Sequence, residues 1–120
     1  MHVLIVDDNR RMRSLVQRSL LQGGFDDLVF TEASNGREAL EQFHLRTPDL
    51  VLSDWNMPNM DGLDLLKAIR LQNKDVLFGF ITAQSTSKLR KSAQDEGAHF
   101  LLSKPFTPEM LNNTIQSILP

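Results

Sequence analysis

The sequence predicts an α/β domain in which helices cover both faces of a parallel sheet. Short apolar runs alternate with longer segments whose apolar residues recur at helical spacing, and five such units follow one another. Most runs are apolar at consecutive rather than alternate positions, as expected for strands that are buried on both faces. The five predicted strands lie at residues 3–6, 28–30, 50–52, 76–81 and 100–102.

Polar residues mark where several helices begin. Asn9, Asn35 and Thr107 each precede a segment of helical periodicity, and such side chains accept hydrogen bonds from the unpaired N–H groups of a first helical turn. Pro108 occupies the first position of the last helix, where its missing N–H is not needed. The third helix is expected over about residues 62–70. Helices are therefore predicted after the first, second, third and fifth strands.

The fourth helix, predicted over residues 85–96, differs from the others because its apolar face is thin. Leu89 and Ala93 are almost its only apolar residues. A narrow face buries little area, and burial stabilises a fold by about 25 cal/mol per Å² of apolar surface. We therefore expect this helix to be the most easily displaced element of the fold.

Composition and charge indicate an ordinary globular domain and exclude several classes of protein. Of the 120 residues, 41% are hydrophobic and 23% are charged, and the net charge is −2. Nucleic acid and anionic lipid require a concentrated basic face, whereas the one basic cluster here, Arg10, Arg11 and Arg13, is interpreted as a solvated helix face. No apolar run reaches the length of a membrane span, and the absence of cysteine excludes disulfides and thiolate chemistry. We expect a cytoplasmic, monomeric protein in which residues 1–120 form one domain without an output domain.

The residues just after the apolar runs are unusually polar. Asp7 and Asp8 follow the first run, Asp54 the third, Thr82 the fourth and Lys104 the fifth. In an open parallel sheet, ligands bind beside the carboxyl ends of the strands. These side chains are therefore candidates for a single site.

Three carboxylates at one sheet edge need positive charge nearby. Two like charges 4 Å apart repel by ~4 kcal/mol at an effective dielectric constant of 20. Lys104 offsets one of the three negative charges, and a divalent cation with oxygen ligands would offset the other two. Mg²⁺ fits best because it needs few carboxylates and shares phosphate oxygens, whereas no Cys or suitably grouped His is present for zinc.

The same residues predict phosphoryl chemistry at Asp54. A carboxylate beside a metal, a lysine and a hydroxyl can attack phosphorus and carry an aspartyl phosphate. This transfer depends on positioning and charge neutralisation, for which Lys104, Thr82 and the backbone N–H of Ala83 are candidates. Taken singly, each residue also has a structural explanation, such as a turn at Asp54, and only the combination favours a site. The histidines are interpreted as structural or solvated: His2, His44 and His99.

Four short motifs resemble those of one known family. They are V-D-D-N at residues 6–9, S-D-W-N-M-P-N-M-D-G at 53–62, T-A at 82–83 and K-P-F at 104–106. On these motifs the whole chain resembles the receiver domain of bacterial two-component response regulators, especially its single-domain chemotaxis members. The resemblance implies a flavodoxin-like, doubly wound fold, with a five-stranded parallel sheet of order 2-1-3-4-5 and five helices on its two faces.

The resemblance also implies a role for each candidate residue. A phosphohistidine on a sensor histidine kinase would donate the phosphoryl group, and Asp54 would accept it. Mg²⁺ would be the cofactor, and its ligands would be Asp54, Asp8 directly, Asp7 through water and Asn56 through its backbone carbonyl. Thr82 and Lys104 would bind the phosphoryl group.

The expected output surface is formed by the fourth helix, fifth strand and fifth helix, and a downstream protein would bind there. Leu89 and Leu101 are its predicted switch residues. The family usually has Tyr or Phe three residues before the lysine, where this chain has Leu101. Phe100 is not expected to substitute, because neighbouring residues of a strand point to opposite faces. The motifs therefore predict phosphorylation of Asp54, whereas Leu101 departs from the residue that would couple phosphorylation to the output surface.

Three alternatives compete with a switching receiver. An aspartate-nucleophile phosphatase commonly has a second Asp two residues after the nucleophile, where this chain has Asn56. A flavin-binding domain of the same topology would carry a Gly/Ser/Thr-rich loop after the first strand, where Asp7 and Asp8 would repel a phosphate. A receiver-fold interaction module with impaired switching would follow from Leu101. A non-enzymatic receiver that signals by phosphorylation-dependent protein binding is favoured over all three.

Overall fold

The computed structural model describes all 120 residues and contains five strands and five helices in strict alternation. Every predicted strand and helix is present. None of the helices combines the length and the apolar character that crossing a bilayer requires. The elements are β1 (His2–Val6), α1 (Arg10–Leu21), β2 (Val29–Ala33), α2 (Gly36–Leu45), β3 (Leu50–Ser53), α3 (Gly62–Gln72), β4 (Leu77–Thr82), α4 (Ser87–Asp95), β5 (Phe100–Ser103) and α5 (Pro108–Ile118).

The strands form one parallel sheet in the order β2-β1-β3-β4-β5, which confirms the predicted topology. Every residue of β1 and β3 is buried, as their continuous apolar runs predicted. The largest boundary difference is at β2, which extends to Ala33, beyond the predicted run 28–30. Because β2 lies at the sheet edge, its polar residues Thr31 and Glu32 are not enclosed and need not be apolar.

Two separate apolar clusters hold the helices to the sheet. One cluster packs α1 and α5 on one face through Val16, Leu20, Leu111 and Ile115. The other packs α2, α3 and α4 on the opposite face, and its helical members are Ala39, Phe43, Leu65, Leu66, Ile69 and Ala93. The sheet is therefore covered on both sides, as expected for a doubly wound fold.

The predicted helix starts are confirmed by their caps. The side chains of Asn9, Asn35 and Thr107 each accept a hydrogen bond from the backbone N–H three residues later, at 3.1, 2.8 and 3.1 Å. Asp61 caps α3 in the same way at 2.8 Å. These bonds satisfy N–H groups that have no partner within the helix, so each helix begins at a defined residue.

The contact between β4 and β5 explains the glycine inside the fourth apolar run. Gly79 lies opposite Phe100 in the strand register, and a methyl group at Gly79 would overlap the Phe100 ring. Phe100 packs with the α1/α5 cluster, whereas Leu101 packs with the α2/α3/α4 cluster. Phe100 and Leu101 therefore face opposite sides of the sheet, as the strand periodicity predicted.

We predict that Gly79→Ala lowers the free energy of unfolding by roughly 1 to 3 kcal/mol, because the new methyl group overpacks against the Phe100 ring. Urea unfolding measures the loss. The same substitution in a Phe100→Ala background should cost much less, because the obstructing ring is gone. An equal cost of Gly79→Ala in both backgrounds would contradict the contact.

His2 is a buried histidine at the start of β1, consistent with a structural role. Its side chain Nε2 lies 2.7 Å from the Thr31 hydroxyl, while its Nδ1 has no hydrogen-bond partner. Burial, followed by repulsion from Arg46, lowers the pKa of His2, although attraction to Asp49 opposes the shift. The folded protein therefore favours the neutral imidazole.

We predict that the protein loses stability as the pH falls below about 6.5, the ordinary histidine pKa. The unfolded chain then takes up a proton at His2 that the folded chain refuses until its own lowered pKa is reached. Urea unfolding over a pH series measures the slope, which His2→Gln should flatten. A variant whose pH profile matches that of the wild type would show that His2 does not contribute.

Candidate functional site

The carboxyl ends of the strands bring the predicted acidic and basic residues together. Val6 and Ser53 are paired in register, so the residues that follow them, Asp7 and Asp54, leave the sheet side by side. The Asp54 N–H donates to the Val6 carbonyl at 2.9 Å and continues this pairing past the strand ends. The Lys104 ammonium lies 2.9 Å from Asp7 Oδ2 and 3.3 Å from Asp54 Oδ2.

The three carboxylates form a cluster that opens toward solvent. Asp7, Asp8 and Asp54 each place a carboxylate oxygen within 4.8 Å of the others. Asp7 is buried, Asp54 is half-buried and Asp8 is exposed. The site is therefore walled by protein at Asp7 and accessible at Asp8.

Hydrogen bonds hold the carboxylates of Asp7 and Asp54 in fixed orientations. Asp7 Oδ1 accepts the N–H of Asn9 at 2.9 Å, and Asp54 Oδ1 accepts the N–H of Trp55 at 2.7 Å. Each carboxylate thus uses one oxygen for a backbone N–H and directs the other toward Lys104. Gly62 is required nearby, because a side chain there would overlap the Asp54 carbonyl oxygen.

The two neighbouring acids stabilise the charged form of Lys104. Burial of the ammonium lowers the pKa of Lys104, but hydrogen bonding and charge attraction from Asp7, followed by those from Asp54, outweigh it. The net effect raises the pKa of Lys104 above its usual value. Lys104 is therefore fully protonated at neutral pH and supplies one positive charge to the cluster.

The residues of this cluster fit a hard divalent cation. Three carboxylates and one ammonium leave a formal charge of about −2, and oxygen is the only donor type among the acidic groups. No histidine belongs to the cluster, so its donors suit Mg²⁺ better than zinc. The loop residue Asn56 is exposed two positions after Asp54, and its side chain forms no hydrogen bond within the protein.

The two remaining phosphoryl-binding candidates lie at the end of β4. Thr82 is 1% exposed, and its hydroxyl accepts the N–H of Gln84 at 3.3 Å. Ala83 follows it and is exposed. The backbone N–H of Lys104 donates to the Thr82 carbonyl at 2.9 Å, and this bond joins the ends of β4 and β5. The structure thus places Thr82 and Lys104 side by side at the same sheet edge.

The predicted switch residues lie where α4 packs against the sheet, Leu89 on α4 and Leu101 on β5. Leu89 and Leu101 are half-buried against the α2/α3/α4 cluster, and Ala93 is the only buried residue of α4. The thin apolar face is therefore confirmed. Arg90 was not predicted to contact β5, but its guanidinium donates to the Leu101 carbonyl at 2.9 Å and to the Ser103 hydroxyl at 3.1 Å. No periodicity signals such a contact, because it depends on where β5 lies.

Trp55 is a natural reporter of the cluster. Its indole is 6% exposed and packs on Phe80 with a ring-centroid separation of 4.7 Å. Its backbone N–H is bonded directly to the Asp54 carboxylate. A change in charge or bonding at Asp54 should therefore alter the environment of this single tryptophan.

Comparison with known proteins agrees with the geometry. A family model described as the response regulator receiver domain matches residues 3–116. The chain is 35% identical to chemotaxis protein CheY1 of Helicobacter pylori strain J99 over 99% of this chain and 97% of that one. It is 36% identical to chemotaxis protein CheY of Pseudomonas aeruginosa over 98% and 95% of the two chains.

Solved structures show the same similarity. Chemotaxis response regulator CheY4 of Vibrio cholerae superposes with a TM-score of 0.87 at 34% identity, covering 98% of both chains. CheY in a CheX-CheY-BeF3-Mg²⁺ complex from Borrelia burgdorferi gives a TM-score of 0.90 at 28% identity, covering 98% of this chain and 88% of that one. The similarity spans the whole fold rather than one motif.

We predict that Lys104→Met lowers the free energy of unfolding at neutral pH by roughly 2 kcal/mol, because it leaves Asp7 and Asp54 close together without a counter-charge. Urea unfolding without divalent cations measures the loss. The matched control is Lys67→Met, an exposed lysine of α3 without an ion pair, which should cost less than about 0.5 kcal/mol. Equal losses in the two variants would show that the ion pairs do not stabilise the fold.

Proposed function

This chain belongs to the response regulator receiver domain family, and we propose that it is a Mg²⁺-dependent switch whose phospho-acceptor is Asp54. Its family places it in phosphorelay signalling. The observation that carries the proposal is the position of Lys104, whose ammonium contacts the carboxylates of both Asp7 and Asp54. An acceptor held between acids and a lysine has the charges that phosphoryl transfer requires.

The proposed metal ligands are the carboxylates of Asp54 and Asp8, the carboxylate of Asp7 through water, and the backbone carbonyl of Asn56. When bound, Mg²⁺ would supply positive charge that offsets both the carboxylates and the incoming phosphoryl oxygens. The accessible side of the cluster, at the exposed Asp8, is where a hydrated cation could enter. The Borrelia relative was solved in a complex that contains Mg²⁺, which supports this assignment.

In the proposed reaction, a carboxylate oxygen of Asp54 attacks the phosphorus of a phosphohistidine on a sensor histidine kinase. The new O–P bond forms as the P–N bond breaks, and the electron pair of that bond leaves with the imidazole nitrogen. Lys104 and Thr82, with the N–H of Ala83, would bind the phosphoryl oxygens. The chain thus serves as an acceptor rather than as an enzyme that turns over an external substrate.

The proposed output is binding of a downstream protein to the surface of α4, β5 and α5. Within this proposal residues 1–120 act as one monomeric, cytoplasmic receiver domain. The thin apolar face of α4 supports displacement of that helix, because only Ala93 is buried. Leu101 favours a second candidate, an interaction module of the same fold with weakened switching, because the only aromatic beside it, Phe100, packs on the opposite face.

We predict that acetyl phosphate with Mg²⁺ phosphorylates the wild type and changes Trp55 fluorescence, and that Asp54→Asn abolishes both responses. Intact-protein mass spectrometry measures the incorporation. Asp75→Asn serves as the matched control and should behave as the wild type. Asp75 is exposed and precedes β4, so it lies at the sheet edge opposite the acidic cluster. Incorporation that survives Asp54→Asn would refute the acceptor, and steady hydrolysis of a phosphomonoester would favour a phosphatase instead.

A further inference from the structure

We propose that Arg13 is a positioning residue for the acidic cluster and that Glu32 holds it in place. This inference rests on the proposed Mg²⁺ site and adds two residues that do not touch the cation. Arg13 was expected to belong to a solvated helix face with Arg10 and Arg11. In the structure those two are exposed and their side chains form no hydrogen bond within the protein, whereas the Arg13 side chain is only 15% exposed.

The contacts of Arg13 link three elements at the edge of the site. Its Nη1 donates to the backbone carbonyl of Asp7 at 2.6 Å, and its Nε donates to Glu32 Oε1 at 2.9 Å. The two bonds leave from different nitrogens of one planar group, so together they fix the orientation of the guanidinium. Arg13 thereby connects the first turn of α1 to the end of β1 and to the edge strand β2.

The carbonyl that Arg13 binds belongs to the peptide between the two metal-site aspartates. β1 ends at Val6, so the Asp7 carbonyl lies beyond the strand and needs another partner. The other polar groups of Asp7 are already occupied, by Ala33 at its N–H and by Asn9 and Lys104 at its carboxylate. Arg13 therefore completes the set of bonds that holds this residue.

The bond from Arg13 to the Asp7 carbonyl also restrains the backbone of the neighbouring Asp8. The Asp8 side chain is exposed and forms no hydrogen bond within the protein, so its direction follows from the backbone that carries it. A hydrogen bond to the Asp7 carbonyl restrains the shared peptide and hence the starting direction of Asp8. Mg²⁺ demands a near-ideal octahedral arrangement of ligands, so losing this restraint on Asp8 should weaken Mg²⁺ binding. Ca²⁺ accepts variable geometry and should be affected less.

Charge and position must be separated in the test. Replacing Arg13 alone removes a positive charge near the site, which would strengthen cation binding and mask any loss of positioning. Replacing Arg13 and Glu32 together removes one charge of each sign and leaves the net charge unchanged. Arg13→Met keeps an apolar stem of similar length without donors, and Glu32→Gln removes the partner charge.

The experiment measures Mg²⁺ and Ca²⁺ affinities by calorimetric titration of the wild type and of the double variant Arg13→Met, Glu32→Gln. We expect Mg²⁺ affinity to fall roughly tenfold, the lower end of the effect of losing an outer hydrogen-bond partner at a metal site. Ca²⁺ affinity should fall by no more than about twofold. The matched control removes another pair, Lys91→Met with Asp95→Asn, which lies on the exposed face of α4 and should change neither affinity.

Unchanged Mg²⁺ affinity in the double variant, or equal losses for Mg²⁺ and Ca²⁺, would overturn the positioning role. Failure of the wild type to bind Mg²⁺ would instead refute the proposed function itself. If the double variant does not fold, Arg13→Lys carries the test, because it keeps the charge but its single ammonium cannot reproduce both bonds of the planar guanidinium. Arg13→Lys should then weaken Mg²⁺ binding more than Ca²⁺ binding, and equal affinities to those of the wild type would overturn the inference.

Discussion

The contact of one ammonium with two carboxylates is the interaction on which the site depends. Lys104 reaches Asp7 and Asp54 from the far end of the chain and ties together the ends of β1, β3 and β5. Parallel strands necessarily bring these ends to one edge, but the acids there would repel one another without a counter-charge. Lys104 offsets part of that repulsion and leaves a formal charge of about −2, which suits the proposed Mg²⁺. The ion pairs that join the strand ends are thus the same contacts that define the proposed phospho-acceptor site.

Helix α4, in contrast to the ion-paired site, has few buried contacts with the rest of the fold. A single buried alanine and the half-buried Leu89 supply its apolar contact, and Arg90 adds polar bonds to β5 at Leu101 and Ser103. Polar bonds at a surface exchange readily with water, so they contribute less than buried area of similar extent. Ser103 directly precedes Lys104, so the strand residue that α4 contacts adjoins the residue that binds the acids. Strand β5 and the residue that follows it therefore contact both α4, through Leu101 and Ser103, and the acidic cluster, through Lys104.

Chain segments just past the strand ends have backbone groups without sheet partners, and the structure satisfies them with specific side chains and amides. The carbonyl of Asp7 is bound by Arg13, and the carboxylate oxygens of Asp7 and Asp54 accept the N–H groups of Asn9 and Trp55. Each of these bonds orients an acid as well as satisfying the backbone. Local hydrogen bonding and positioning of the site are thus accomplished by the same contacts.

The element order, the parallel sheet and the acids at its edge were predictable from the amino-acid sequence, because apolar periodicity and strand-end polarity are local properties of the chain. It also predicted that Phe100 and Leu101 face opposite sides, since side chains alternate along a strand. The contact of Arg13 with Asp7, the exposure of Arg10 and Arg11, and the contact of Arg90 with β5 became apparent only in the folded arrangement. Those contacts depend on the relative placement of helices and strands distant in sequence, which no local pattern encodes.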